Sequence, residues 1–365
     1  MATLSLNTIY HHEKELKYLP FLIESLKRQT FQDFEVKILN NGLSTEMFSK
    51  VENAYRTLGV NVEVVQSPTN IGFAGGQNLL FKKTSAAYVL MLNSDMYLMP
   101  NVLQNCVDFL ERHREVFGVS VRLMRWDFAI VEAAMAVGSI SERAGLGFTN
   151  FVDAIGIRLL RNRRAVEWLT REEWVGDSAN PHVAKLFQQT MVEVFGVSGA
   201  MPVFRTSALQ NVLLPGGDIL DPTYHSYKED LDIAYRLRNA GYTSYVLLDT
   251  VTYHDRTAAG PRGLSDWSAA QNKQYQTDYV RYHSYKNHLR TLYKNEYWQN
   301  FLIDFPFIFW YELKKFGYFL FTNPGMIIRA WYEILKNGKY TYAARQAIKA
   351  SRKTHWRGLR RWFYV

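Results

Sequence analysis

The sequence predicts an α/β fold, a mostly parallel sheet flanked by helices. Three observations carry that expectation. The first third of the chain alternates short apolar runs with segments of helical periodicity. The run YVLMLNSD (Tyr88 to Asp95) is apolar at successive positions, as a strand covered on both faces must be. The chain has 365 residues, 47% of them hydrophobic, enough to fill a large core.

The elements follow in order. TLSLNTI (Thr3 to Ile9) reads as a strand. Leu16, Leu19, Ile23 and Leu26 then share one helical face, and Pro20 is tolerable there in a first turn. FEVKILN (Phe34 to Asn40) is a second strand. Ser44 can cap a helix whose Met47, Phe48, Val51, Ala54, Tyr55 and Leu58 form one stripe. NVEVVQS (Asn61 to Ser67) is a third strand. NIGFAGGQN (Asn70 to Asn78) holds three glycines, which implies a tight turn or a close approach of backbone, ahead of a short helix near Asn78. After the fourth strand, Pro100 opens a helix with Leu103, Cys106, Val107 and Leu110 inward. From Trp126 to about Thr190 the pattern blurs, and residues 126–190 read as an insertion or an acceptor-side cover. Val192 to Phe204 is a strand-like run with a glycine turn, Ser226 to Tyr242 a helix, and Tyr242 to Asp249 a late strand. Residues 1–260 are expected to form one domain and 261–365 a second, helical region.

A single cysteine, Cys106, excludes an intrachain disulfide, and the start MATLSLNTIY lacks the pattern of a signal peptide. Both fit a cytoplasmic protein. The net charge is +9, and it is unevenly placed: nine basic and no acidic residues follow Glu333, while the other 34 bases balance the 34 acids. From Tyr293 onward aromatics mix with sparse charges, and Asp304, Glu312, Lys314, Lys315 and Arg329 interrupt every long apolar stretch. Interfacial amphipathic helices on an anionic membrane surface, at its inner face, are the expectation. A plain helical subdomain is the alternative. The neutral body and the absence of a nucleic-acid motif exclude nucleic acid as the expected partner.

Three short motifs could carry chemistry. LNSD ends the fourth strand, so Asn93, Ser94 and Asp95 arrive where a parallel sheet binds ligands, and Asp95 could hold a hard cation; the same residues also make ordinary turns. Ser226 and Glu229 have capping-box spacing, which leaves Asp230 as an acid without a structural reason. His254, after the late strand, could be a metal ligand or a structural histidine. The glycine segment fits neither the phosphate-binding loop of P-loop enzymes nor the nicotinamide-binding fingerprint.

These pieces stand in a known order. The first strand with Tyr10, SLKRQTF, ILNNG, NIGFAGGQN, LNSD, VSGAM, KED–LDIAYRLRNAGY and YHD resemble the family 2 glycosyltransferases of GT-A fold, over about Leu4 to Arg256. The rhamnosyltransferase-like branch that extends surface polysaccharides looks most similar. The resemblance implies a nucleotide-diphosphate sugar donor (dTDP or UDP) held by Tyr10, Asn40, Asn70, Gly75, Gly76, Asn78, Asn93 and Ser94. It implies Mg²⁺ or Mn²⁺ at Asp95, helped by His254. It implies Asp230 as catalytic base supported by Glu229, with Gly199 and Arg256 toward a glycan or lipid-linked acceptor. The family's usual acids are replaced at Asn40 and Asn93. That departure motivates the alternative of an inactive, membrane-associated adaptor that keeps the fold.

Overall fold

The computed structural model describes residues 2–134, 138–256, 274 and 276–364. Its strands are β1 (Leu4–Tyr10), β2 (Phe34–Asn41), β3 (Val62–Ser67), β4 (Tyr88–Leu92), β5 (Met96–Leu98), β6 (Val116–Trp126), β7 (Phe148–Ala154), β8 (Ile157–Leu160), β9 (Ala165–Glu167), β10 (Met191–Val194), β11 (Val203–Arg205), β12 (Thr243–His254) and β13 (Phe363–Tyr364). The helices are α1 (Leu19–Lys27), α2 (Thr45–Arg56), α3 (Gly72–Phe81), α4 (Val102–Arg112), α5 (Phe128–Ala133), α6 (Ile140–Leu146), α7 (Pro181–Phe187), α8 (Thr206–Gln210), α9 (Glu229–Asn239), α10 (Asp278–Asn295), α11 (Trp298–Ile303), α12 (Phe305–Thr322), α13 (Pro324–Lys336), α14 (Gly338–Ser351) and α15 (Trp356–Arg360).

One ten-stranded sheet organises the molecule, in the order β10-β12-β6-β11-β4-β1-β2-β3, with β5 on β12 and β7 on β6. The β4-β1-β2-β3 ladder is parallel, as is β6 with β12. β11 is wedged antiparallel between β4 and β6. The sheet carries a core on each face, and the period-2 alternation of β4 shows why its sequence is apolar throughout. Tyr88, Leu90 and Leu92 face the cluster with α1, α2 and α4; Val89 and Met91 face the cluster with Phe204, Ile233 and Val246. Pro20 does lie in the first turn of α1, and the Ser44 hydroxyl accepts from Met47 N–H at 3.3 Å.

Four local readings change. The glycine segment is no loop: residues from Gly72 on already form α3. The run Val192 to Phe204 splits, because β10 pairs at the sheet edge with β12 while β11 enters the middle. Helix α9 starts at Glu229 with Lys228 at its cap, in the left-handed region and without a side-chain cap. The expected Ser226 capping box is therefore absent, and the Ser226 hydroxyl instead accepts from Tyr279 at 3.2 Å. Residues 126–190, opaque in the sequence, supply β7, β8, β9 and α7.

The C-terminal region is helical, and α10 lies against α9 through a buried charged seam. Lys294 bridges Asp221 at 2.7 Å and Asp232 at 2.9 Å; Arg290 reaches Asp221 at 3.4 Å, and Arg236 reaches Asp232 at 3.1 Å. Asn295 donates to Asp232 at 2.8 Å. Burial opposes the Asp221 charge, but Lys294 and Arg290 outweigh it and hold the carboxyl at about 2. No helix among the described residues is long and apolar enough to cross a membrane.

Candidate active site

A cleft of about 790 Å³ opens at the carboxyl edge of the sheet. β2 ends there in Asn41, β4 runs into Asn93, Ser94 and Asp95, and β12 ends in His254. The first turn of α9 brings Glu229 and Asp230 to the same cleft, opposite Gly199. Asp95 and Asp230, 135 positions apart in the chain, thus share one cavity.

A chain of ion pairs fixes the floor. His254 Nε2 faces Asp95 Oδ1 at 3.3 Å, and its Nδ1 meets Asp153 Oδ2 at 2.8 Å. Arg256 links Asp153 and Glu167, each at 3.1 Å, and donates to Ser198 Oγ at 3.1 Å. Burial disfavours the imidazolium, yet the two flanking carboxylates push His254 up to about 9. Asp153 is held below its ordinary value: burial works the other way, but Arg256 and His254 prevail. Glu167 is raised, chiefly by burial, with Arg256 pulling down against Asp230 and Asp153.

The acid pair on α9 is electrostatically tense. Glu229 Oε2 has no hydrogen-bond partner, and burial together with the neighbouring Asp230 pushes its carboxyl up to about 8. A cleft-facing carboxyl poised near neutrality beside a second acid is a functional signature. Asp230 Oδ1 accepts from Leu231 N–H at 2.7 Å. A side chain at Gly199 would put Cβ 3.2 Å from Asp230 Cβ, so glycine there leaves room for the acid. The segment leading into α9 is strained: His225, Tyr227 and Lys228 have φ of 66, 69 and 73°.

Several expected donor contacts lie elsewhere. Tyr10 is fully buried, its hydroxyl 3.1 Å from that of Tyr55. Asn40 turns its side chain back onto the Leu43 backbone, accepting at 2.8 Å and donating at 3.1 Å. Neither lines the cleft; the next residue, Asn41, does, and it ties down the glycine segment by accepting from Ile71 N–H at 2.9 Å. Asn78 exchanges two hydrogen bonds with the Leu220 backbone, at 2.8 and 2.9 Å, and braces α3. Gly76 packs under the sheet: a Cβ there would sit 2.6 Å from Ile9 Cδ1. Gly75 faces Ile71 within its own segment. Asn70, Gly72 and Phe73 are the parts of the motif that reach the cleft. The three glycines thus serve close packing of the chain on itself. At Gly72, with φ +76°, a Cβ would lie 2.3 Å from the His225 carbonyl. Asp153, Glu167 and His225 were missed, and no motif flags them; Ser198 was missed inside VSGAM, beside Gly199, and Asn41 by one place in ILNNG.

Among the described residues no three His, Cys, Asp or Glu side chains stand together as a metal cage. Asp95 Oδ1 and His254 Nε2 offer two donors, with Asp153 holding the imidazole by its other nitrogen as the outer-shell partner of a metal-ligating histidine does. That set fits a cation completed by phosphate oxygens and water, provided that the cation displaces the proton which the two carboxylates otherwise hold on His254.

Residues 8–169, from the end of β1 through β4, the Asn93–Asp95 turn and Glu167, match the model of Glycosyl transferase family 2. This part of the chain is similar to that family, and the fold is GT-A-like. The poly(ribitol-phosphate) beta-N-acetylglucosaminyltransferase TarS of Staphylococcus aureus (strain MW2) is 31% identical over 100 residues, 27% of this chain and 17% of that one. The teichoic acid poly(glycerol phosphate) polymerase of Staphylococcus epidermidis is 25% identical over 95 residues, 26% of this chain and 13% of that one. The aligned part thus spans less than a fifth of these relatives. The crystal structure of GalNAc-T7 with UDP, GalNAc and Mn²⁺ shares the fold, with a TM-score of 0.54 at 11% identity over 80% of this chain and 48% of that one.

Proposed function

We propose that the chain is an inverting, metal-dependent glycosyltransferase. It moves a sugar, rhamnose or a similar hexose, from a nucleoside-diphosphate donor to a hydroxyl of a lipid-linked or surface-polymer acceptor. The observation that carries this reading is the shared cleft of Asp95 and Asp230. The relatives are named as a poly(ribitol-phosphate) glycosyltransferase and a teichoic acid poly(glycerol phosphate) polymerase, which makes a polyol-phosphate polymer a natural acceptor to try first.

Asp230 takes the proton of the acceptor hydroxyl as its oxygen attacks the anomeric carbon, and the bond to the diphosphate breaks on the opposite face. Glu229, protonated near neutral pH, hydrogen-bonds the acceptor or its neighbour without adding a second charge. Asn93, Ser94, Asn70 and the backbone at Gly72 border the donor side. Asp95 and His254 would hold Mg²⁺ or Mn²⁺, which supplies neutralisation of the charge gathering on the leaving nucleoside diphosphate. Arg256 and Asp153 hold His254 and so keep that corner in register.

The reading includes a place at the inner face of the cell membrane. Helices α11 to α14 expose a run of large apolar side chains: Phe321 is 88% exposed, Leu335 74% and Ile328 71%. A patch of this kind on a chain with a basic tail suits an anionic bilayer surface. The test is release of nucleoside diphosphate from UDP-N-acetylglucosamine, UDP-glucose and dTDP-rhamnose, with and without Mn²⁺, for wild type, Asp230→Asn and Asp95→Asn. Asp230→Asn should lose about 10²- to 10⁴-fold in kcat. Asp95→Asn should lose the Mn²⁺ response. Full turnover in Asp230→Asn removes it as the base, and no turnover of any donor by wild type favours the adaptor.

A further inference from the structure

We infer that Asn287, on the C-terminal helix α10, is a positioning residue that sets the geometry of the acids Glu229 and Asp230. The inference rests on the reading of that acid pair as catalytic.

The segment from Thr223 to Lys228 must deliver the two acids to the cleft, and it does so in an unfavourable backbone conformation. Three of its residues hold φ between 66 and 73°, a region that costs a non-glycine residue about 1 kcal/mol or more each. Such strain persists only when the surroundings over-determine it. Here the carbonyls of five consecutive residues are all engaged. Lys286 Nζ donates to Thr223 O at 3.1 Å, and His283 Nδ1 donates to Tyr224 O at 3.0 Å. Ala74 N–H, in α3, donates to His225 O at 3.2 Å. The Asn287 side-chain amide donates to Ser226 O at 2.9 Å and Tyr227 O at 2.8 Å, with a longer contact to Tyr224 O at 3.1 Å. Its own carbonyl accepts from Lys286 Nζ at 3.0 Å, which fixes which end of the amide faces the segment.

The spacing explains how one helix achieves this. Tyr279, His283, Lys286 and Asn287 stand at i, i+4, i+7 and i+8, one face of α10. Tyr279 adds its hydroxyl bond to Ser226, and the His283 ring stacks on His225 with centroids 5.4 Å apart. Asn287 is fully buried and reaches no part of the cleft itself. It acts through the backbone of Ser226 and Tyr227, three and two residues before Glu229. An aspartate of the same shape has no N–H to give and would set a negative charge against those carbonyls.

The experiment compares Asn287→Ala, the isosteric Asn287→Asp and, as a control, Asn295→Ala on the same helix. Asn295 bonds Asp232 in the buried seam and not the strained segment. Each full-length variant is assayed for kcat and donor KM with whichever nucleotide sugar wild type turns over, and for backbone hydrogen exchange. For both Asn287 variants we expect kcat to fall about 100-fold, as for an ångström-scale misplacement, with donor KM within a few-fold of wild type. Amide exchange over 224–231 should quicken about tenfold while the sheet keeps its protection. Asn295→Ala should lower global stability with no such split. Wild-type kcat in Asn287→Asp, or exchange that rises evenly over α9, α10 and the sheet, overturns the proposal. If wild type turns over no donor, the functional reading fails, and the exchange pattern still decides the positioning role.

Discussion

Glu229 offers the sharpest test of the site's electrostatics. Its carboxyl is carried from an ordinary value of 4.5 to about 8, first by burial and then by Asp230. The folded protein therefore holds this proton over a pH range in which the unfolded chain releases it. The contribution is fully present below the unfolded pKa and is lost as pH rises toward the folded one, so stability falls between about pH 5 and pH 8. At about 1.4 kcal/mol for each pH unit, the ceiling is roughly 5 kcal/mol. Glu229 is only partly buried, so solvent relaxes some of the penalty and about 2–3 kcal/mol is the expected size. Glu229→Gln removes the titrating group and keeps the shape. Urea unfolding of wild type and variant at about pH 5 and about pH 9 measures the effect. The variant should match wild type in acid and exceed it by that amount in base, while its turnover drops. Such a trade of activity against stability is what a strained functional acid produces. A stability difference that stays flat across the pH range would refute the reasoning, because it would mean that the carboxyl ionises without penalty in the fold.

Three further outcomes follow from the geometry. Gly72→Ala places a Cβ against the His225 carbonyl in a left-handed residue, and should lower stability by about 1–3 kcal/mol and kcat with it, read by thermal unfolding and turnover. Arg256→Met strands the buried Asp153 with His254 alone and should cost about 3–5 kcal/mol in urea unfolding, with recovery as the pH is lowered and Asp153 protonates. The double variant Ile328→Asp/Leu335→Asp should weaken sedimentation with phosphatidylglycerol vesicles by 10-fold or more, at about 1.5–3 kcal/mol for each lost apolar contact, without touching donor KM.

The parts of this molecule that obey short-range rules were readable in advance. The period-2 and 3.6 patterns of the first 110 residues gave β1 to β4, α1, α2 and α4, because each helix there buries one regular face and the inner strands are covered on both. Asp95, His254, Asp230 and Gly199 do border one cleft, because strand ends and helix starts are where such a sheet presents side chains. What failed were readings that depend on partners far away in the chain. Within Asn70–Asn78 the glycines carry no mark of what approaches them, and the approach is by His225, Ile71, Ile9 and Leu39, while Asn70, Gly72 and Phe73 do border the cleft. Tyr10 and Asn40 carry polar groups that are consumed by Tyr55 and Leu43. Glu167 sits on a three-residue strand, too short to show a period. The strained run before α9 is invisible for a related reason: Tyr and Lys are ordinary residues, and the groups that bond their segment come from α10 and α3, far away in the chain.

The seam of Asp221, Asp232, Lys294 and Arg290 has a practical corollary for anyone dissecting the gene. A fragment cut after Arg256 would keep both carboxylates and discard Lys294 and Arg290, leaving Asp232 with Arg236 alone and Asp221 with no cation. The surviving half would have to protonate or hydrate an interior acid before it could close up, so it should collect in inclusion bodies. Co-expression with residues 274–364 as a separate polypeptide is the arrangement under which it would be recovered.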